Sequence, residues 1–165
     1  MPARPAEATA WQPPTPRQRR DLLERARSVA VVGASSNPAR PSYFVSTYLL
    51  SSSADYDVYF VNPGESEVLG EPVYPSLAEL PTVPDIVDVF RRAEDLPAVA
   101  AEATAVGAGV FWAQLGLWSD EAAALAHGAG LDVVMDRCLK IEHARFHGGL
   151  HLAGFDTGVI SSRRR

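Results

Sequence analysis

A chain of 165 residues, 47% hydrophobic and 21% charged, has the size and composition of one globular domain with a real core and is too short for two full ones. Its net charge of −5 argues against a nucleic-acid surface, which usually carries a basic excess, and no apolar run approaches the roughly 20 residues of a membrane span. The amino terminus, MPARPAEATAWQPPTPRQRR, has no apolar signal-peptide core, and the single cysteine, Cys138, leaves no internal disulfide framework, so a cytoplasmic protein is expected.

Residues 1–16 contain Pro2, Pro5, Pro13, Pro14 and Pro16 with little to bury, and read as an extended arm that Trp11 could pin to the body. Thr15 and Pro16 open a helix over Gln18–Arg27, with Leu22, Leu23 and Ala26 inward and its arginines on a solvated face among Asp21 and Glu24. Ser28–Val32, SVAVV, suits a strand buried on both faces of a parallel sheet. Gly33 ends it, Ala34–Arg40 is a small, polar loop broken by Pro38, and Pro41-Ser42 starts a helix with Phe44, Val45, Tyr48 and Leu49 at helical spacing.

Strand, glycine-led loop and helix together point free backbone N–H groups and a helix dipole at an anion. The loop has one glycine where a dinucleotide fingerprint has three, and no P-loop lysine. On these residues alone a steric turn and a phosphate cradle stay equally open.

Asp57–Val61 is a second strand, and residues 62–75, NPGESEVLGEPVYP, read as a long polar loop before a short helix at most over Ser76–Leu80. Asp85–Phe90 is a third strand with two acids; Asp88 is weighed as catalytic, but an acid near a strand end more often caps backbone or pairs with arginine. A helix over Glu94–Val106, a fourth strand at Val110–Ala113, a helix over Asp120–Gly128 capped by Ser119, a fifth strand at Leu131–Met135 and a helix over Leu139–Phe146 follow. From Gly148 the chain is glycine-rich, ends in SSRRR and reads as a loose tail.

Five strands alternating with helices predict an α/β fold: a Rossmann-like, doubly wound parallel sheet in three α/β/α layers, with 3-2-1-4-5 as the expected strand order. Such sheets bind ligands beyond the carboxyl ends of their strands. That rim gathers Gly33–Ser36, Asn62-Pro63, Phe90-Arg91, Gln114-Leu115 and Asp136-Arg137-Cys138, with Arg40, Arg91, Arg92 and Arg137 available to phosphates. An NAD site fits less well, because the acid that meets the ribose after the second strand is replaced by Asn62-Pro63, and Glu65 and Glu67 stand further out.

No nucleophile with an adjacent base is readable. Cys138, beside Arg137 and Lys140, is weighed as a reactive thiol against the alternative of a small buried hydrophobe. His143, His147 and His151 recur at four-residue spacing, but Gly148-Gly149 interrupts them and no carboxylate completes a metal site. Lys140 is the only lysine, hence the only Schiff-base candidate.

The segments VAVVGASSNPARPSY, VNPGESEVLGEPVYPSL, DIVDVFRRAEDLP, WAQLG and VVMDRCLKIEH, in this order and spacing, closely resemble the small single-domain bacterial CoA-binding proteins. These are similar in turn to the N-terminal CoA-binding domain of the succinyl-CoA synthetase alpha subunit. The resemblance runs from Gln18 to Phe146. It implies a Rossmann-like domain with coenzyme A along the carboxyl edge: Gly33, Ala34, Ser35, Ser36 and Arg40 at the pyrophosphate, Val61, Asn62 and Pro63 by the adenosine, Val89, Phe90 and Arg91 by the adenine and 3′-phosphate, and Gln114 and Leu115 on the far side. The chain departs from the synthetase where a second glycine follows the first; here that stretch is Ser36-Asn37-Pro38. The resemblance carries ligand binding but not the ligase activity, whose phosphohistidine belongs to a second domain.

The expectation is therefore an arm (1–16), a CoA-binding domain (17–147) and a tail (148–165). Its ligand would be coenzyme A or an acyl-CoA, with no resident metal, no self-contained catalytic set and no nucleic-acid or membrane partner. The rivals are an NAD(P)-dependent oxidoreductase or another nucleotide-binding enzyme, and an interaction module without ligand.

Overall fold

A computed structural model describes residues 10–51 and 54–147. The readings of residues 1–9, of the tail and of His151 lie outside them.

The sheet comprises β1 (Ser28–Val32), β2 (Asp57–Val61), β3 (Glu67–Val68), β4 (Glu71–Tyr74), β5 (Ile86–Val89), β6 (Val110–Ala113) and β7 (Asp132–Val134), in the spatial order β3-β4-β2-β1-β5-β6-β7. Every neighbouring pair is parallel except β3 with β4. The helices are α1 (Pro16–Arg25), α2 (Pro41–Leu49), α3 (Leu96–Val106), α4 (Asp120–Gly128) and α5 (Leu139–His147), with 3₁₀ turns at Leu77–Glu79 and Ala93–Asp95.

Alternation along β1 divides the core. Val29 and Val31 pack with residues of α1, α2 and α5, while Ala30 and Val32 pack with Leu77 and residues of α3 and α4. All five residues of β1 are buried, as a strand covered by helices on both faces requires. The three-layer architecture is therefore as expected.

The strand count and order are not. The stretch 62–75, read as a polar loop, folds into the β3–β4 hairpin, so the sheet has seven strands instead of five. Its two-residue turn has positive φ at both Leu69 (51°) and Gly70 (78°), the geometry that fits hairpin twist and that Asn-Gly usually marks. β4 then takes the place beside β2, through Phe60↔Val73 and Val61↔Tyr74. With that position filled, β5 pairs on the other side of β1. The five expected strands thus stand in the order second, first, third, fourth, fifth, not 3-2-1-4-5.

Two further differences concern side chains. Arg19, placed by its sequence on a solvated face, is buried with Glu142 of α5, Nε to Oε2 at 2.9 Å, while its Nη1 donates to the Pro14 carbonyl at 2.8 Å. Phe44, counted on the inner stripe of α2, is 59% exposed, and the buried stripe is Ser42, Val45, Ser46 and Leu49. Trp11 does pin the described part of the arm: its Nε1 donates to the Val133 carbonyl on edge strand β7 at 3.0 Å, and its ring lies 5.3 Å from that of Trp118. Among the described residues no helix is long and apolar enough to cross a membrane.

Candidate functional site

The chain leaves β1 towards β2 through α2 on one face, then returns past β1 to β5 and proceeds through α3 on the other. The carboxyl ends of β1 and β5 are therefore the point where the winding reverses, and the crevice there is the natural ligand site of an open α/β sheet.

Gly33 sets its floor. Its N–H continues the sheet to the Val61 carbonyl at 2.9 Å, and it adopts φ 87°. A Cβ at this position would lie 2.5 Å from the carbonyl oxygen of Phe90. Glycine is thus demanded twice, by conformation and by close approach of the β5 end. Beyond it the loop is knit by short-range bonds: Asn37 N–H to Ser35 Oγ at 3.1 Å, Ala39 N–H to Asn37 Oδ1 at 3.0 Å, and Arg40 N–H to the Asn37 carbonyl at 3.0 Å. Arg40 is the N-cap of α2 yet gives the helix no side-chain cap, and Pro41 follows. The positive end of the helix dipole thus opens on the crevice.

The crevice has a volume of about 480 Å³ and is lined by Gly33, Ser35, Arg40, Asn62, Phe90, Arg91, Gln114 and Leu115, all named from sequence. Pro41, Ser42 and Leu117 also line it, and sequence reasoning missed them; the first two were legible as the helix start, whose first turn necessarily stands at the mouth. The other named residues are placed differently. Ala34, Val61 and Val89 are buried in the core and offer only backbone to a ligand. Pro63 is exposed, and Ser36 is engaged by Glu65: Ser36 N–H lies 3.2 Å and its Oγ 3.1 Å from the carboxylate.

Of the four rim arginines, Arg40 and Arg91 line the crevice. Arg91 has only a loose 3.7 Å contact with Asp95. Arg92 is turned to the surface, 3.0 Å from Glu94 and 3.4 Å from Asp95, and Arg137 is exposed and not among the lining residues.

On the far wall Gln114 is buried and its Oε1 accepts from Leu139 N–H at 3.4 Å. Asp136 Oδ1 accepts from Gly116 N–H at 2.7 Å, fixing the turn that carries Leu115 and Leu117. Asn62 spends its side chain within the protein, Nδ2 donating to the Ala34 carbonyl at 2.8 Å and Oδ1 accepting from Gly64 N–H at 2.9 Å.

The remaining candidates lie elsewhere. Asp88 points into the core at 0% exposure, neither carboxyl oxygen has a hydrogen-bond partner, and desolvation lifts its pKa well above the usual carboxylate range. Asp85 is the acid that caps backbone, its Oδ2 accepting from Arg27 N–H at 2.7 Å and Ser28 N–H at 3.2 Å. Cys138 is half-buried against the α1, α2 and α5 side of the core. His143 Nδ1 lies 2.7 Å from Tyr48 Oη, and among the described residues no group of three His, Cys, Asp or Glu could hold a metal ion. A larger hollow of about 570 Å³ lies under the arm beside the start of β7, away from the strand carboxyl ends.

The model of a CoA-binding domain matches residues 27–144, spanning β1 to α5 and every wall of this crevice. The chain belongs to that CoA-binding domain family. It is 42% identical over 133 residues, 81% of this chain and 97% of the relative, to the uncharacterized protein YneT of Bacillus subtilis. A hypothetical protein from Pyrococcus horikoshii OT3 superposes with a TM-score of 0.77 at 37% identity, covering 82% of this chain and 96% of that one. A stretch of 81 residues, 49% of this chain but only 12% of the relative, is 31% identical to an ADP-forming acetate–CoA ligase of Archaeoglobus fulgidus. The small relatives thus match along nearly their whole length, whereas the ligase is similar to about half of this chain over a short part of its own.

Proposed function

We propose that this chain binds coenzyme A or an acyl-CoA in the β1/β5 crevice, as a ligand-binding domain without a catalytic set of its own. The observation that carries the reading is the coincidence of the family match with a switch-point crevice that presents the α2 amino terminus and two arginines. The pyrophosphate lies against Gly33, Ser35, Ser36 and Arg40, the adenosine by Asn62 and Pro63, the 3′-phosphate at Arg91, and the pantetheine arm along Gln114, Leu115 and Leu117. Backbone of Ala34, Val61, Val89 and Phe90 forms the floor. NAD(P) is disfavoured because Asn62, in the position of the ribose-binding acid, is spent on Ala34 and Gly64.

A comparison of two ligands tests the assignment. Charge-assisted bonds from arginine are worth about 1.5–3 kcal/mol, so Arg91→Ala weakens coenzyme A by roughly tenfold or more. It weakens dephospho-CoA, which lacks the 3′-phosphate, far less, whereas Arg40→Ala weakens both about equally. Calorimetric titration reads the difference; equal losses for both ligands with Arg91→Ala would remove Arg91 from the 3′-phosphate.

A further inference from the structure

The Glu65 carboxylate occupies the donors of Ser36, next in the chain to the crevice-lining Ser35. It comes from the β2–β3 connection, 29 residues from Ser36, and accepts three contacts there: Ser36 N–H to Oε1 at 3.2 Å, and Ser36 Oγ to Oε1 and Oε2, each at 3.1 Å. The backbone holds it in place, because Asn62 ties Ala34 to Gly64 and Glu65 N–H turns back to the Asn62 carbonyl at 3.4 Å. A backbone N–H and a hydroxyl on the loop that leads into an uncapped helix are available as anion donors. In this structure their anion is a side chain of the same protein.

We infer that Glu65 is a built-in counter-anion of the phosphate loop, a specificity-determining gate that a ligand must displace to reach Ser36. The inference rests on the proposed coenzyme site and deepens it. A carboxylate and a phosphate cannot share these donors, since the N–H and the hydroxyl proton of Ser36 are already engaged and two like charges at contact repel, although the contact is exposed and solvent screens the repulsion. A ligand with one weak negative charge gains too little to expel the carboxylate. A pyrophosphate, with more charge and the additional attraction of Arg40, displaces it. The gate thereby raises the threshold for anion binding, and the Asn62 turn returns the carboxylate to Ser36 when the ligand leaves.

The test titrates the full chain, its Glu65→Gln variant, which removes the charge and keeps an acceptor, and Glu65→Ala, which removes both. The probes are coenzyme A and inorganic pyrophosphate. Both probes bind the variants about 3- to 10-fold tighter than the unaltered protein, with Glu65→Ala gaining at least as much as Glu65→Gln. Unchanged or weaker binding in the variants overturns the gate and makes Glu65 a bystander or a direct ligand contact. Pyrophosphate binding to none of the three proteins also overturns it. If coenzyme A binds none of them while pyrophosphate binds the variants tighter, the gate stands and the coenzyme reading falls.

Discussion

Asp88 shows how an acid can be prominent in sequence and absent from the site. It is the second acid of DIVDVF, but it lies in mid-strand with register partners Val31 and Trp112, sealed from water and without a hydrogen-bond partner. Desolvation raises its folded pKa well above its unfolded value. The folded state therefore holds the proton more tightly than the unfolded state. By linkage, its contribution is full below about pH 4 and declines as pH rises above the unfolded pKa towards the folded one. Urea denaturation of the unaltered protein should show this falling component as pH rises above about 4, and Asp88→Asn should lack it. Parallel pH profiles for the two proteins would show that Asp88 is not held as a neutral acid. At this same scale Gly33, Ser35, Arg40 and Arg91 were legible because strand, turn and helix signals flank them closely. Glu65 was not, since its partner Ser36 is remote in sequence and no local pattern pairs them.

Among elements, the least exposed of the ion pairs described joins α1 to α5. The Arg19 and Glu142 side chains are 4% and 5% exposed, 2.9 Å apart. Removing one partner strands the other charge in the core, so Arg19→Ala should cost about 3–5 kcal/mol in chemical denaturation. Replacing both, Arg19→Met with Glu142→Leu, should restore most of that loss. A loss under 1 kcal/mol for Arg19→Ala would mean that the pair behaves as a surface contact. Sequence could not reveal the pair, because a charged helix face looks solvated until its cover is known. The β3–β4 hairpin was hidden for a different reason. Leu69 takes a left-handed conformation that glycine or asparagine usually signals, and Pro72 stands within β4, where proline ordinarily argues against a strand. β1, β2, α2 and α4 carried unambiguous signals, buried valines or a proline or serine at the helix entry. All four stand where they were read, with only the inner stripe of α2 shifted away from Phe44.

For the whole molecule, strand order decides where the site lies. Because β4 occupies the outer flank of β2, β5 stands beside β1, and the ends Gly33 and Phe90 come into contact. An order of 3-2-1-4-5 would have parted them and left Arg91 far from the loop that follows Gly33. The resemblance carried by five short segments was sufficient for the family, and the topology explains why those segments converge, since each follows a strand at the same sheet edge. The most direct measurement is thermal melting of the purified protein with coenzyme A and, separately, with NAD. At a ligand concentration about 100 times its Kd, linkage adds roughly 2.7 kcal/mol, a rise in Tm of roughly 5–10 °C for a domain of this size. The prediction is that rise with coenzyme A and none with NAD; an equal rise with NAD, or no rise with saturating coenzyme A, would contradict it.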